Sequence, residues 1–117
     1  MVSPQLSSNQ IIYLQKRFAD LINYEGDDPT APIDPMTYRG SGGDSLLHIA
    51  AFRGDVQSVT LLLDAGINPN IIGEMGYTPL HYAALIGDRD TASILIARGA
   101  RTDATNEFGE APDLSAF

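Results

Sequence analysis

Two consecutive stretches of the chain carry one pattern, Gly43 to Met75 and then Gly76 to Phe108. Superposing Gly43-Asp44-Ser45-Leu46-Leu47-His48-Ile49-Ala50-Ala51 on Gly76-Tyr77-Thr78-Pro79-Leu80-His81-Tyr82-Ala83-Ala84 brings Gly54-Asp55 onto Gly87-Asp88 and Gly66 onto Gly99, a period of 33 residues. Self-similarity at such a period confines a chain to repeat architectures, in which each unit buries its apolar face only by stacking on the next. A third start follows at the same interval, Gly109-Glu110-Ala111-Pro112, with eight residues after Gly109.

Each unit reads as a pair of helices. Ser45 and Thr78 suit an N-cap, and Pro79 suits a first helical turn, where its missing N–H would have no intrahelical partner. Ala50-Ala51 and Ala83-Ala84 let a neighbouring helix approach closely. After Gly54-Asp55 the run Val59, Leu62, Leu63 has the spacing of a buried helical stripe, repeated as Ala92, Leu95, Ile96. Gly66 and Gly99 are placed to end those helices in the left-handed conformation, which costs glycine nothing.

The opening Thr78-Pro79-Leu80-His81-Tyr82-Ala83-Ala84 resembles the ankyrin-repeat family, whose unit is a turn followed by two antiparallel helices. The first unit keeps Leu47, His48, Ala50 and Ala51, with Ser45 and Leu46 where Thr and Pro would stand. The resemblance covers residues 43 to about 112 and implies an all-α, short ankyrin-type solenoid. Its expected parts are two full repeats (43–75 and 76–108), a truncated C-terminal repeat (109–117) and an N-terminal capping helix. Helix pairs fall at 43–66 and 77–99 and extended fingers at 67–75 and 100–108, and Ala111-Pro112-Asp113-Leu114 is expected to form one short helical turn that caps the end.

Residues 1–42 lie ahead of the repeats. A loose end over 1–5 is followed by capping residues Ser7-Ser8-Asn9 and a helix whose apolar side carries Ile11, Leu14, Phe18, Leu21 and Ile22. That helix would cover the face that a preceding repeat would otherwise cover. From Glu25 to Gly42 runs a Pro/Gly-rich acidic connector, in which Pro29, Pro32 and Pro35 forbid a regular helix. Its Met36 and Tyr38, among three Asp residues, are expected to rest on a partner.

Chemistry at a catalytic or metal site finds little support. His48 and His81 are the only histidines and no cysteine exists to join them, so zinc is rejected. In the family this imidazole ties neighbouring turns together. Ser45 lies three residues before His48, but capping accounts for it. Arg39-Gly40-Ser41-Gly42-Gly43 lacks the spacing and the Lys-Ser/Thr ending of a phosphate loop. Asp27, Asp28 and Asp34 do not follow a calcium-loop pattern. No cofactor is expected, and the chain reads as no enzyme.

Fifteen acids against seven bases leave a net charge of −8. Five of the acids lie between Phe18 and Met36 and four follow Thr102, with no base in either stretch. Phosphate binding rests on Lys and Arg, so nucleic acid is an unsuitable ligand, whereas a basic protein would be attracted. The plainer alternative is that acidity keeps the chain soluble. No apolar run reaches the roughly 20 residues of a membrane helix, and no signal peptide opens the chain, so a cytoplasmic protein without membrane contact is expected.

The resemblance also implies where a partner would sit, on finger tips and the open side of each first helix. The first unit offers Ile49, Phe52 and Arg53, and the finger after it Ile72, Glu74, Met75 and Tyr77. The second unit offers Tyr82, Leu85 and Ile86, and the last finger Thr105, Glu107, Phe108 and Glu110. Aromatic and aliphatic groups rimmed by Glu suit a protein-binding surface. The alternative is that Met75 and Leu85 pack internally and Phe52 lies beneath the connector. The expected function is protein binding. In its most concrete form the chain is an acidic inhibitor or immunity protein blocking a basic toxin or nuclease, with Asp27, Asp28, Glu74, Glu107 and Glu110 over the target's positive site. An adaptor or scaffold subunit without inhibitory role is the alternative, and the free chain would be a monomer or weak homodimer.

Overall fold

The computed structural model describes residues 5–117, so most of the loose end read at 1–5 lies outside the described residues. They form helices α1 (Ser8–Arg17), α2 (Leu46–Phe52), α3 (Val56–Asp64), α4 (Pro79–Ile86) and α5 (Arg89–Ala97), with a 3-10 turn at Glu74–Gly76 and no strand among them. Helix starts are fixed by side chains. Ser7, Ser45 and Thr78 each cap the backbone of the third residue on, and Gln10, His48 and His81 return the bond to the cap. Asp55 and Asp88 cap α3 and α5. Gly66 and Gly99 then end those helices at φ 99° and 98°.

α2 lies against α3 and α4, and α5 against α3 and α4, so the two units stack side by side. The seam is made of Leu47, Ala50, Ala51, Val59, Leu62, Leu80, Ala83, Ala92 and Leu95, all buried. Alanines and leucines make up most of it, and each leucine buried there is worth about 2 kcal/mol.

Three tight turns rise at one edge in the same register. The N–H groups of Gly40, Gly73 and Asn106 donate to the carbonyls of Asp44, Tyr77 and Glu110 at 2.8, 2.9 and 2.9 Å. The first turn thus opens at Gly40, inside the stretch read as connector. Histidines hold the turns together: His48 Nδ1 accepts the Ser45 N–H (3.1 Å) and Nε2 donates to the Tyr77 carbonyl (2.8 Å). His81 does the same between Thr78 and Glu110. Gly73 is needed for this closeness, since a Cβ there would strike the Asp44 carboxylate and lie 2.7 Å from His48 Nε2.

The amino-terminal part departs from its expectation in two ways. α1 stops at Arg17, and Phe18 begins a run of tight turns that sinks its ring to 1% exposure, leaving Leu21 half-buried and Ile22 outside the helix and exposed. Met36 and Tyr38 are not offered to a partner: Tyr38 is buried with Ile33 and Pro35, and Met36 packs against the same core. The connector is itself the cover of the first repeat. Arg17 fastens α1 to the cap of α3 through the buried Asp55 carboxylate at 2.8 Å. Burial works to raise that carboxyl, but hydrogen bonds from Arg17 and Ser58 outweigh it and hold it below the usual range.

At the other end the expected helical turn over 111–114 is absent. Asp113 instead accepts the Ser115 N–H and hydroxyl at 3.1 and 2.6 Å, a local bond that competes with helix, and the chain closes in a single turn from Leu114 to Phe117. Leu114 and Phe117 still pack on the core. No described helix is long and apolar enough to cross a membrane.

Burial pushes the His48 imidazole below its ordinary value, with the Tyr77 carbonyl and the Asp44 carboxylate pulling less strongly the other way. Protonation would also abolish the bond that Nδ1 accepts. The unfolded chain therefore takes up a proton near pH 6.5 that the folded chain refuses, so stability present above that pH is lost on acidification, by up to about 1.4 kcal/mol per pH unit. The urea midpoint should fall between pH 7.5 and 5.5, and His48→Gln, itself less stable by about 2 kcal/mol, should show a shallower fall. An unchanged slope in that variant would assign the acid sensitivity elsewhere.

Candidate protein-binding face

The face formed by α2, α4 and the three turns is organised around Tyr82. Its ring stacks on Tyr77 (centroids 5.4 Å apart, planes 15° apart) and meets Phe52 and His48 edge to face, each at 5.6 Å. Its hydroxyl donates to both oxygens of the Asp44 carboxylate, at 2.9 and 3.1 Å. Asp44 Oδ1 also accepts the Glu74 N–H at 2.9 Å, so this one carboxylate joins the first turn, the second turn and α4. Burial, and then the bond to Asp44, push the Tyr82 phenol far above its ordinary value.

Two hollows flank the stacked pair, one at each junction of units. The first, about 570 Å³, is lined by Asp44, His48, Ile49, Phe52, Arg53 and Tyr82. The second, about 260 Å³, runs from Tyr77, His81 and Leu85 to Asn106, Glu110 and Pro112. They share a register: Asp44, His48 and Phe52 stand one period ahead of Tyr77, His81 and Leu85.

Most residues singled out from the sequence stand open. Phe52 (51% exposed) is not beneath the connector, and Leu85 (70%), Phe108 (62%), Ile72 (56%) and Met75 (51%) are not packed away. Ile86 is also exposed, and Tyr77 and Tyr82 show part of their rings. Glu74, Glu107 and Glu110 lie at the second and third turns, the Glu107 N–H donating to the Met75 carbonyl at 3.0 Å and so joining one turn to the next.

Three residues sit differently. Arg53 is engaged within the chain, gripping Asp20 through its two terminal guanidinium nitrogens (2.6 and 3.2 Å) with its guanidinium 5.1 Å above the Phe18 ring. Asp27 and Asp28 belong to a loop that Asn23 closes on Pro29, Ala31 and Pro32, and Asp28 is occupied by the Thr30 N–H and hydroxyl. Neither lines a hollow. Asp44, the centre of the polar network, was not singled out beforehand. Its period mates are Tyr77 and Glu110, so nothing repeated marks it.

Ser45 Oγ lies 2.8 Å from His48 Nδ1, but Ser45 and His48 are both buried and the other imidazole nitrogen is spent on a backbone carbonyl. A nucleophile needs an open approach, and this one has none. Among the described residues no three His, Asp or Glu side chains are grouped to hold a metal.

Met75 is the one described non-glycine residue at positive φ (53°), in a turn where the first unit has Gly42. A left-handed side chain costs about 1 kcal/mol, so the turn keeps an exposed thioether against backbone preference. Met75→Gly should therefore raise stability by about 1 kcal/mol in urea titrations. A loss instead would mean that the thioether braces the turn.

A family model described as ankyrin repeats, in three copies, matches residues 15–106, well over half of the chain, and takes in part of α1 and the covering connector. The curated protein cyclin-dependent kinase 4 inhibitor B of Bos taurus is 48% identical over 40 residues, which are 34% of this chain and 30% of that protein. That match is little longer than one 33-residue unit. The chain thus belongs to the ankyrin-repeat family, whose repeats mediate protein–protein interaction.

Proposed function

We propose that this chain is a non-enzymatic binding module that seats a basic protein on the face of α2, α4 and the three turns, and acts as its antagonist. The observation that carries this reading is the aromatic cluster of half-exposed Phe52 with part-buried Tyr77 and Tyr82, continued by the exposed Leu85, Ile86 and Phe108 and bordered by Asp44, Glu74, Glu107 and Glu110. Aromatic anchors supply affinity, while a carboxylate border with the nearest bases already engaged steers a cationic target. Arg39 is held by the Gly43 and Ile72 carbonyls and Arg53 by Asp20. Asp27 and Asp28 would act at longer range, through the overall charge of −8.

Blocking by occupancy fits a chain that offers a binding face and whose Ser45–His48 pair is buried. The name of the bovine relative says that it too is an inhibitor, though a match of about one unit carries no target across. In this reading the target is an enzyme whose positive substrate site is covered, as with an immunity protein and its toxin or nuclease.

A second reading, an adaptor, is favoured by one observation. Leu63 is 8% exposed where the second unit covers it, whereas its period mate Ile96 is 41% exposed, so the far side of α5 offers a second place of attachment.

Co-purification with products of neighbouring genes tests both. An antagonist should recover one dominant basic enzyme and abolish its activity, with an association rate falling at least about tenfold between 50 and 300 mM salt. A salt-insensitive rate would overturn charge steering. A multi-protein set with activity intact would favour the adaptor.

A further inference from the structure

The larger hollow brings two aromatic rings and a carboxylate together. One wall is the half-exposed Phe52 ring, another is Tyr82, and at the base stands the Asp44 carboxylate, whose orientation Tyr82 and the Glu74 N–H fix. Asp44 Oδ1 accepts two of these bonds and Oδ2 only one, so Oδ2 keeps acceptor capacity unused, on a residue that lines the hollow. The hollow measures about 570 Å³, ample for one long side chain. Its neighbouring charges are Asp20, Asp44 and Glu74 against Arg39 and Arg53, and both cations are already paired or bonded.

We propose that this hollow is a receptacle for an arginine side chain of the partner, its guanidinium donating to Asp44 and lying against Phe52. The inference deepens the protein-binding reading and rests on it for its biological use. The chemistry favours arginine over lysine: a planar, weakly hydrated guanidinium stacks on an aromatic face while donating sideways, which a compact ammonium cannot do. A quaternary ammonium has no N–H for Asp44 and needs a closed aromatic cage, and this hollow is open. The chain already uses the same arrangement next door, where the Arg53 guanidinium lies 5.1 Å over Phe18 while gripping Asp20 at 2.6 Å.

The test needs no natural partner. An acetyl-Gly-Arg-Gly-amide peptide is titrated into the 15N-labelled protein, with the citrulline and lysine peptides alongside. Citrulline keeps the shape of arginine without its charge. The expected result is a saturable, millimolar binding curve with shifts at Asp44, Ile49, Phe52 and Tyr82, weaker with lysine and about tenfold weaker with citrulline. Asp44→Asn, which can still accept from Tyr82 and Glu74, should weaken arginine binding about tenfold, and the exposed Phe52→Ala about threefold. Each variant is first shown to keep the native amide spectrum; Phe52→Ala decides if Asp44→Asn does not. Equal binding of citrulline, or shifts spread over Asp27, Asp28 and Glu107 instead, would overturn the receptacle. If arginine binds here but a captured target seats elsewhere, the inference stands and the functional reading fails. If a target is blocked normally by the Phe52→Ala chain and the peptide does not bind, the reverse holds.

Discussion

The fold depends on a hydrogen bond made twice, from a buried imidazole to the carbonyl of the next turn. His48 reaches the Tyr77 carbonyl and His81 the Glu110 carbonyl, both at 2.8 Å across 29 residues. Each histidine closes its own helix cap with one nitrogen and sets the following turn with the other. Helix start and turn position are therefore one decision. Because both bonds are sheltered, an error in register would strand a donor and an acceptor together, at a cost of several kcal/mol, and this makes the stacking specific as well as favourable. Among the described residues no buried side-chain nitrogen or oxygen lacks a partner.

That constraint releases the side chains at the open edge from structural duty. With turns held from inside by imidazoles and backbone, residues such as Phe52, Leu85 and Phe108 stand half or more in solvent. Asp44 and Tyr82 lie between the two groups. They bind the first turn to α4, and by doing so they set the wall and base of the larger hollow.

How far the chain could be read beforehand depends on the range of its interactions. The caps Ser45 and Thr78, the closing glycines Gly66 and Gly99, and the stripe of Val59 and Leu62 act within a turn or recur at 33 residues, and so were legible. The end of α1 was not, because it is set by Phe18 sinking beneath Arg53, a contact 35 positions away with no repeat to announce it. Tyr38 and Met36 looked available to a partner because prolines on a polar connector suggest a loop, whereas the first repeat needed cover and took it from there. Asp44 was invisible for a similar reason. Its importance comes from Tyr82, 38 residues on and out of phase with the period. At the open edge, the resemblance carried over position by position led to Phe52, Tyr77, Tyr82 and Phe108, whose rings are exposed wholly or in part, but gave no hint that Arg53 is held by Asp20.

The twin hollows at successive junctions have a geometric corollary. Packed helices sit about 8–10 Å apart, and cavities repeated with the units inherit that pitch. A polyproline II segment turns once every three residues and advances about 3.1 Å per residue, so its side chains three apart share a face about 9 Å on and match both openings at once. The stack would thus act as a gauge: it admits a ligand by the interval between its protrusions, and a segment with the correct groups at the wrong interval gains only one of the two.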